Sequence, residues 1–469
     1  MSTPVDETPR PLLSLTDAIS LIVGIVIGSS IYKTAPLISQ QVDTWWQGLG
    51  LWILGGVISL CGALVYAELA TTYLRLGGDY NYLTRAFGPG LGFLFGWTQL
   101  FVIQTGSIGA LAFVGADHLA AMGKLDPAAQ PWIAIVFIAG MTAINMLGLR
   151  PGAWMQNLLT AAKLAGLVAV IAAGLCAGTA TDWSVPVNPD AKRAGWPLAL
   201  LLILYAYGGW NDAAFVAAEV RDVKRNIPRA LLGGIGLIVV IYGLINLAYL
   251  RTLGLSGLQQ SQRPAAEALG LWLGPWGEFA MNGLVAVSAL GGVNGLILSV
   301  SRLHATVGAD HRAFRWLGKY NREDSPTASL LLQGVITVGM VLTLATDQGR
   351  EALNTVVTAL GFVAIPWDRY YGGFETFYAG SAPAFWAFFL LTGIAFFILR
   401  WRDRDLPRPF RTPFSPVTPL LFIVACAWAL QSAAVYAWPL LPLLAVPILL
   451  GVPVYFLTKQ WDDRPPSAH

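Results

Sequence analysis

Apolar runs long enough to cross a membrane follow one another along almost the whole chain. An α-helix needs about 20 apolar residues to span the hydrocarbon layer of a bilayer. Of the 469 residues, 55% are hydrophobic and only 12% are charged, whereas soluble domains carry about 25% charged residues. Because backbone groups in lipid must be satisfied inside helices or closed barrels, these runs predict an all-α polytopic membrane protein.

The punctuation of these runs by charges, glycine and proline predicts twelve spans. They cover residues 14–40, 47–73, 92–116, 131–149, 153–178, 196–220, 228–250, 277–305, 326–346, 375–400, 413–434 and 437–457. Tails of residues 1–13 and 458–469 flank them. Residues 347–374 contain an apolar run too short to cross easily. We expect an external loop there, with a helix packed on the mouth of the protein; a further crossing is the alternative.

Most of the 29 lysines and arginines fall in the two tails and in the loops after spans 2, 4, 6, 8 and 10. Positive charge concentrates on the cytoplasmic side of membrane proteins. We therefore expect both termini to be cytoplasmic and the protein to lie in the cell membrane. The polar, acidic start of the chain is not typical of a cleaved signal peptide.

Several classes of site and partner are not expected. No basic tract alternates with aromatic residues, so we expect no nucleic-acid partner. His304 and His311 lack a third ligand at metal-binding spacing, so neither a metal site nor a cofactor is expected. Cys61, Cys176 and Cys426 all lie within apolar runs, which makes a disulfide framework improbable.

Two spans are interrupted by small and polar residues. Span 1 contains Gly28, Ser29 and Ser30, and span 6 contains Gly208-Gly209 followed by Asn211. Close helix packing by small residues is one explanation of either interruption. However, the first interruption opens spans 1–5 (residues 14–178) and the second opens spans 6–10 (residues 196–400). Corresponding broken helices indicate a five-plus-five inverted repeat with a binding site near the membrane midplane.

Broken helices also define the ligand that such a site suits. The half-helix that starts near Ser30 presents free N–H groups and a positive dipole end, which favour a carboxylate. The half-helix that ends near Tyr205 and Ala206 presents free carbonyl groups and a negative dipole end, which favour an ammonium group. A cavity between the two ends therefore suits an α-amino acid.

Four segments carry a resemblance to a known family. They are IVGIVIGSSIY in span 1, YAELATTYLRLGGDYNYLTRAFGPGLGFLFGW after span 2, YAYGGWNDAAFVAAEVRDVKRNIPRAL at span 6, and FFILRWRDRDLPRPFRTP after span 10. From about residue 14 to residue 435 the chain resembles the amino acid–polyamine–organocation superfamily, and within it the L-type amino acid transporter branch and its bacterial homologues. The resemblance implies the five-plus-five fold and transport by alternating access.

The resemblance also implies where the substrate binds. Its carboxylate is expected on the break of span 1, and its ammonium group on the carbonyls of both breaks. The implied binding residues are Val26, Gly28, Ser29, Ser30, Tyr205, Ala206 and Gly208. Ser30 replaces a usual glycine and Tyr205 a usual phenylalanine. Lys33 is a charge where many relatives are apolar; it either opposes cationic substrates or points to the outer vestibule.

Lys163 lies in the middle of span 5, where a charge is costly and normally faces a cavity or a partner. In the resemblance it matches a lysine that occupies the place of a sodium ion in sodium-coupled relatives, which implies sodium-independent transport. We expect its partners among the carbonyls of the span 1 break, Ser299 and Ser301. Lys163 would also serve for proton coupling if it titrates, because burial disfavours its charged form.

Other intramembrane charges are harder to assign. We expect Glu68 and Asp79 to organise the cytoplasmic ends of spans 2 and 3, with Arg75 or a basic loop. For Asp212 and Glu219, a solvated face is favoured over an inner gate formed with nearby arginines.

The function that fits best is a carrier of small neutral L-amino acids, working by sodium-independent exchange, with proton symport as the alternative. Scattered single residues do not form the cluster that a membrane enzyme needs, and an unrepeated break in each half is not typical of a channel. A transporter-like amino acid sensor stays open. The loop over residues 117–130 has no cysteine, so no disulfide-linked ancillary subunit is expected.

Overall fold

The computed structural model describes residues 11–28, 30–179, 195–261, 263–359, 361, 363–365, 367 and 374–458. Its α-helices are α1 (Leu15–Val26), α2 (Ser30–Ser39), α3 (Trp45–Thr72), α4 (Asp79–Phe87), α5 (Pro89–Thr98), α6 (Gln104–Gly123), α7 (Gln130–Met146), α8 (Leu149–Ala177), α9 (Trp196–Ala206), α10 (Val223–Gln260), α11 (Pro264–Leu273), α12 (Trp276–Asp310), α13 (Thr327–Ala345), α14 (Asp347–Ala359), α15 (Phe374–Arg402), α16 (Val417–Tyr436) and α17 (Leu441–Thr458). A π-helix covers Gln99–Ile103, and 3₁₀-helices cover Pro127–Ala129, Trp210–Glu219, Arg312–Gly318 and Trp438–Leu440.

These helices reproduce the predicted spans. In the described residues, 11 helical segments are long and apolar enough to cross a membrane. The short apolar helix α1 adds the first span, which continues into α2 after an interruption. Span 3 consists of α5, the π-helix and α6, and span 6 consists of α9 and the 3₁₀-helix after it. The other spans are α3, α7, α8, α10, α12, α13, α15, α16 and α17.

Span 1 begins at a clear capping signal. Ser14 and Asp17 form a capping box, in which each side chain accepts a hydrogen bond from the other residue's backbone N–H. Just before this helix, the backbone of Leu13 pairs with the exit of span 6. The N–H of Leu13 donates to Glu219 O at 2.9 Å, and the N–H of Arg221 donates to Leu13 O at 2.8 Å. Leu13 and Val220 thereby form an isolated parallel β-bridge.

The spans differ in how much surface they leave for lipid. Spans 3, 6 and 8 are mostly buried inside the bundle, whereas spans 4 and 12 bury only a minor part of their length. Helix α12 packs against spans 1, 3 and 5. The core therefore lies around span 8 and the two interrupted spans, which is where a protected cavity has to form.

Two predicted boundaries are wrong in ways that matter. Span 8 is predicted to end at residue 305, but α12 continues to Asp310. Span 7 is predicted over residues 228–250, but its helix covers Val223–Gln260 with a non-helical Gly254 inside. Charged residues are typical of loops, but a tertiary partner holds some of them inside helices, as Glu219 does for the buried Arg302.

The expected external helix between spans 9 and 10 corresponds to α14, which directly follows α13. Its Val357 packs with Ile365, Ala437 and Leu440, beside the junction of spans 11 and 12. Residues 368–373 of the same segment lie outside the described part of the chain.

One end of the bundle, called the basic end here, carries the loops after spans 2, 4, 6, 8 and 10. The buried carboxylate of Glu68 accepts hydrogen bonds from Arg400 Nη2 at 2.7 Å, from Arg408 at 3.3 Å and from the N–H of Thr412 at 2.7 Å. Arg75 pairs instead with Asp310. Glu68 thus joins span 2 to the basic segment after span 10.

A second contact at the basic end links α4 to the end of span 10. Asp403 accepts hydrogen bonds from Arg85 Nε at 2.5 Å and from the hydroxyl of Tyr73 at 2.8 Å. Burial alone would raise the pKa of Asp403, but the hydrogen bonds from Arg85 and Tyr73 outweigh it and hold the pKa below its usual value.

Candidate functional site

A cavity of about 90 Å³ lies between the two helix interruptions. Its lining residues are Ile25, Val26, Gly28, Ile103, Gln104, Ser107, Leu111, Tyr205, Gly208, Gly209, Asp212, Leu296, Ser381, Ala382 and Phe385. Spans 1, 3, 6, 8 and 10 therefore all contribute to the wall. The volume is well below the roughly 300 Å³ of pockets for drug-sized ligands, so the cavity suits a small solute.

Four of the predicted binding residues line this cavity: Val26, Gly28, Tyr205 and Gly208. Ala206 does not line it, although its carbonyl lies at the end of α9 close by. Ser30 begins α2, so its backbone stands at a helix N-terminus. Ser29 lies outside the described residues.

The interruptions follow from the local backbone. Span 1 stops being helical at Ile27, whose φ and ψ are −77° and 72°. In span 6, Gly209 takes a left-handed φ of +102°, a conformation that glycine adopts without steric cost. A Cβ atom at Gly209 would lie 2.6 Å from Cγ2 of Ile25. The two interruptions are therefore in close contact, and glycine is what allows it.

A tyrosine of span 7 bridges the two interruptions. The hydroxyl of Tyr242 lies 3.1 Å from Val26 O and 3.0 Å from Ala206 O, and both carbonyls accept from it. These carbonyls end α1 and α9, where no intrahelical donor is available. Tyr242 is fully buried and lies far from both breaks in the sequence. No local pattern in the sequence identified it.

A serine of span 8 satisfies the next two carbonyls of span 1. The hydroxyl of Ser288 lies 3.2 Å from Ile27 O and 3.1 Å from Gly28 O. Non-helical backbone inside a membrane protein persists only where such partners or a cavity satisfy it. Ser288 and Tyr242 together stabilise the open backbone on which the binding prediction depends.

Lys163 is fully buried and its Nζ donates to Gly24 O at 2.7 Å, one turn before the break of span 1. It does not line the cavity. Ser299 and Ser301 are not its partners, because their hydroxyls donate to Gly295 O and Leu298 O on their own helix. Lys163 thus stabilises α1 without lining the cavity.

Beside Lys163, a chain of buried amides fixes α1 against the rest of the bundle. Nδ2 of Asn294 donates to Gln156 Oε1 at 3.0 Å, and Nδ2 of Asn145 donates to Asn294 Oδ1 at 2.8 Å. The hydroxyl of Thr160 donates to Ser20 O at 3.1 Å. Spans 1, 4, 5 and 8 are joined in this way. The sequence does not reveal this network, because single amides within apolar runs form no distinctive pattern.

Asp212 and Glu219 are both buried, so the expectation of a solvated face is wrong. Asp212 is 2% exposed and lines the cavity. Glu219 is 3% exposed and lies 3.2 Å from Nε of Arg302 in span 8. This ion pair joins span 6 to span 8, and an inner gate formed there with arginines stays a prediction.

The π-helix of span 3 leads directly into the cavity wall, since Ile103 ends it and Gln104 and Ser107 follow. π-helices are frequent at functional sites. No cluster of three or more metal-ligating side chains is present in the described ranges. A small cavity between two interrupted helices, inside a bundle of about twelve spans, is typical of membrane carriers.

Comparison with known proteins gives the family. The chain matches the Amino acid permease family over residues 13–451 and belongs to it. It is 28% identical to the b(0,+)-type amino acid transporter 1 of Mus musculus, over 97% of this chain and 91% of that protein. It is 26% identical to the serine/threonine exchanger SteT of Bacillus subtilis (strain 168), over 97% and 98% respectively. The chain is therefore an amino acid transporter and not an enzyme.

A solved structure supports the fold. The chain is similar to Mhp1, a nucleobase-cation-symport-1 family transporter in a closed conformation with bromovinylhydantoin bound. The TM-score is 0.54 and the identity 15%, over 97% of this chain and 96% of the other. The predicted all-α fold with broken spans 1 and 6 and a five-plus-five inverted repeat is confirmed. Its exact repeat boundaries stay a prediction.

Proposed function

We propose that this chain carries small neutral L-amino acids across the cell membrane by sodium-independent exchange, with both termini in the cytoplasm. The observation that carries the proposal is the cavity of about 90 Å³ between the two interrupted helices. The N-terminus of α2 and the carbonyl ends of α1 and α9 supply opposite dipole ends around it. A carboxylate on Ser29 and Ser30 and an ammonium group on the carbonyls near Val26, Tyr205, Ala206 and Gly208 suit that polarity.

Lys163 supports sodium independence. Its Nζ donates to Gly24 O behind the break, so a protonated Lys163 places a positive charge beside α1. A cation bound at the same place would be repelled. Exchange is supported by SteT, a relative that is itself named an exchanger. The alternative of proton symport rests on the same lysine, which would bind and release a proton during transport.

Some relatives are parts of larger assemblies. The chain is 28% identical to the large neutral amino acids transporter small subunit 2 of Rattus norvegicus, over 97% of this chain and 81% of that protein. The segment before span 4 here has no cysteine for a covalent link. We propose that the chain transports without a disulfide-linked ancillary subunit.

The test is uptake of radiolabelled alanine, serine and leucine into proteoliposomes that are empty or preloaded with unlabelled amino acid. Preloading should raise uptake strongly without sodium, and a sodium gradient should add nothing. Uptake into empty vesicles that needs an inward proton gradient would instead establish symport. No uptake of any amino acid by folded protein would contradict transport and favour a sensor.

A substitution that obstructs the cavity tests its role in transport. At Gly208 an added Cβ would lie 3.1 Å from Tyr205 O and 3.7 Å from the ring of Phe385, so Gly208→Val obstructs the cavity. It should abolish exchange. Gly236→Val is the matched substitution, since nothing lies within 4 Å of a Cβ at Gly236 on span 7. It should retain exchange.

A further inference from the structure

One wall of the cavity contains a carboxyl group that forms no ion pair in the described part of the chain. Asp212 lines the cavity from the 3₁₀-helix that follows the break of span 6. Its Oδ1 accepts hydrogen bonds from Gln104 Nε2 at 3.2 Å and from Asn211 Nδ2 at 3.1 Å. Amides are its hydrogen-bond donors in the described chain, and no Lys, Arg or His there forms an ion pair with it.

The same wall contains a further acceptor without a donor. Gln104 is 3% exposed and lines the cavity, and its Oε1 has no hydrogen-bond partner among the described residues. Oδ1 of the adjacent Asn211, which does not line the cavity, also has no partner there. The nearby buried Asp79 is already occupied by the hydroxyls of Tyr66 and Thr392 and supplies no donor. Acceptors exceed donors here, and buried acceptors without donors are costly.

We infer that Asp212 and Gln104 select neutral amino acids whose short side chain ends in a hydrogen-bond donor, namely a hydroxyl group. The inference rests on the proposed function, in which an amino acid occupies this cavity. A donor on the substrate would satisfy the unpaired oxygens of the wall. Ile103, Leu111 and Phe385 cannot do so, and the small volume restricts the side chain to a few atoms.

The sharpest test compares isosteres. Threonine and valine differ by a hydroxyl in place of a methyl group, and so do serine and 2-aminobutyrate. Binding to the purified full-length protein can be measured from ligand-dependent thermal stabilisation, which needs no turnover. A site built to hydrogen-bond a donor should prefer threonine to valine by about 10-fold or more.

Three variants test the assignment. Asp212→Leu has a similar volume without acceptors, so it should bring the threonine-to-valine ratio to about one or invert it. Gln104→Met should lower the same ratio. Asp79→Asn is the matched control, since Asp79 is as buried as Asp212 but does not line the cavity, and it should keep the wild-type preference. Asp212→Asn keeps an amide oxygen as an acceptor, so it should lower the ratio less than Asp212→Leu does.

Equal binding of threonine and valine by the wild-type protein would overturn the inference, as would an unchanged ratio in Asp212→Leu. If Asp212→Leu does not fold, an unchanged ratio in Gln104→Met overturns it equally. A wild-type protein that binds no amino acid at all would contradict the proposed function instead.

Discussion

Two tyrosines on span 7 differ in what their hydroxyl groups do. Tyr242 donates to carbonyls of both interrupted helices, at 3.1 and 3.0 Å. Tyr249 lies two turns further along the same helix and is also fully buried. Its hydroxyl has no hydrogen-bond partner in the described part of the chain. One residue stabilises the site, and the other carries an unsatisfied polar group of the same kind.

Replacing each tyrosine by phenylalanine should therefore have opposite effects. Tyr242→Phe removes a donor shared by two buried carbonyls and should lower the free energy of unfolding by about 1–2 kcal/mol. Tyr249→Phe removes only an unpaired hydroxyl and should leave stability unchanged or raise it. Thermal unfolding of both variants in detergent measures the difference. Equal destabilisation would show that the bridge contributes nothing.

At the scale of the elements, spans 1 and 6 come so close at Gly209 that no Cβ atom fits there. Gly209 combines a φ of +102° with the close approach of Ile25 from span 1. Span 6 therefore depends on this glycine for both its turn and its packing.

Gly209→Ala should destabilise the protein by about 1–3 kcal/mol, because the backbone strain and the clash with Ile25 act together. It should also reduce exchange in proteoliposomes. Gly236→Ala adds the same methyl group to a helical position with free space, where alanine is the better helix former. A loss in Gly236→Ala as large as in Gly209→Ala would contradict the local explanation.

The elements also show what the sequence could predict. Span number and both interruptions were predictable, because apolar length and clusters of small residues are local properties. Tyr242, Gln104 and Ser288 were not, since each reaches the cavity or the breaks from a different span. Asp212 was misplaced for the same reason, because a carboxyl beside a break looks equally suited to solvent until Gln104 of span 3 is seen against it.

At the scale of the whole molecule, a buried cluster around Glu68 joins distant segments at the basic end. Glu68 is fully buried and holds Arg400 and Arg408 together with the backbone of Thr412. The same residue thereby joins span 2 with the segment between spans 10 and 11. Removing its charge leaves two arginines without their carboxylate.

Glu68→Gln should lower the free energy of unfolding by about 3–5 kcal/mol, the usual effect of breaking a buried ion pair. Asp222→Asn removes the exposed ion pair between Asp222 Oδ2 and Arg225 Nη1, which lie 3.9 Å apart. It should change the free energy of unfolding little, because solvent screens such a pair. The comparison uses denaturant or thermal unfolding of both variants. Equal losses in the free energy of unfolding for Glu68→Gln and Asp222→Asn would contradict this expectation.

The backbone pairing of Leu13 with Glu219 and Arg221 has a mechanical consequence. It fastens the start of span 1 to the exit of span 6, at the opposite ends of these spans from their half-helices α2 and α9. Because two backbone hydrogen bonds join these segments, we expect the start of span 1 and the exit of span 6 to move together at this end of the bundle.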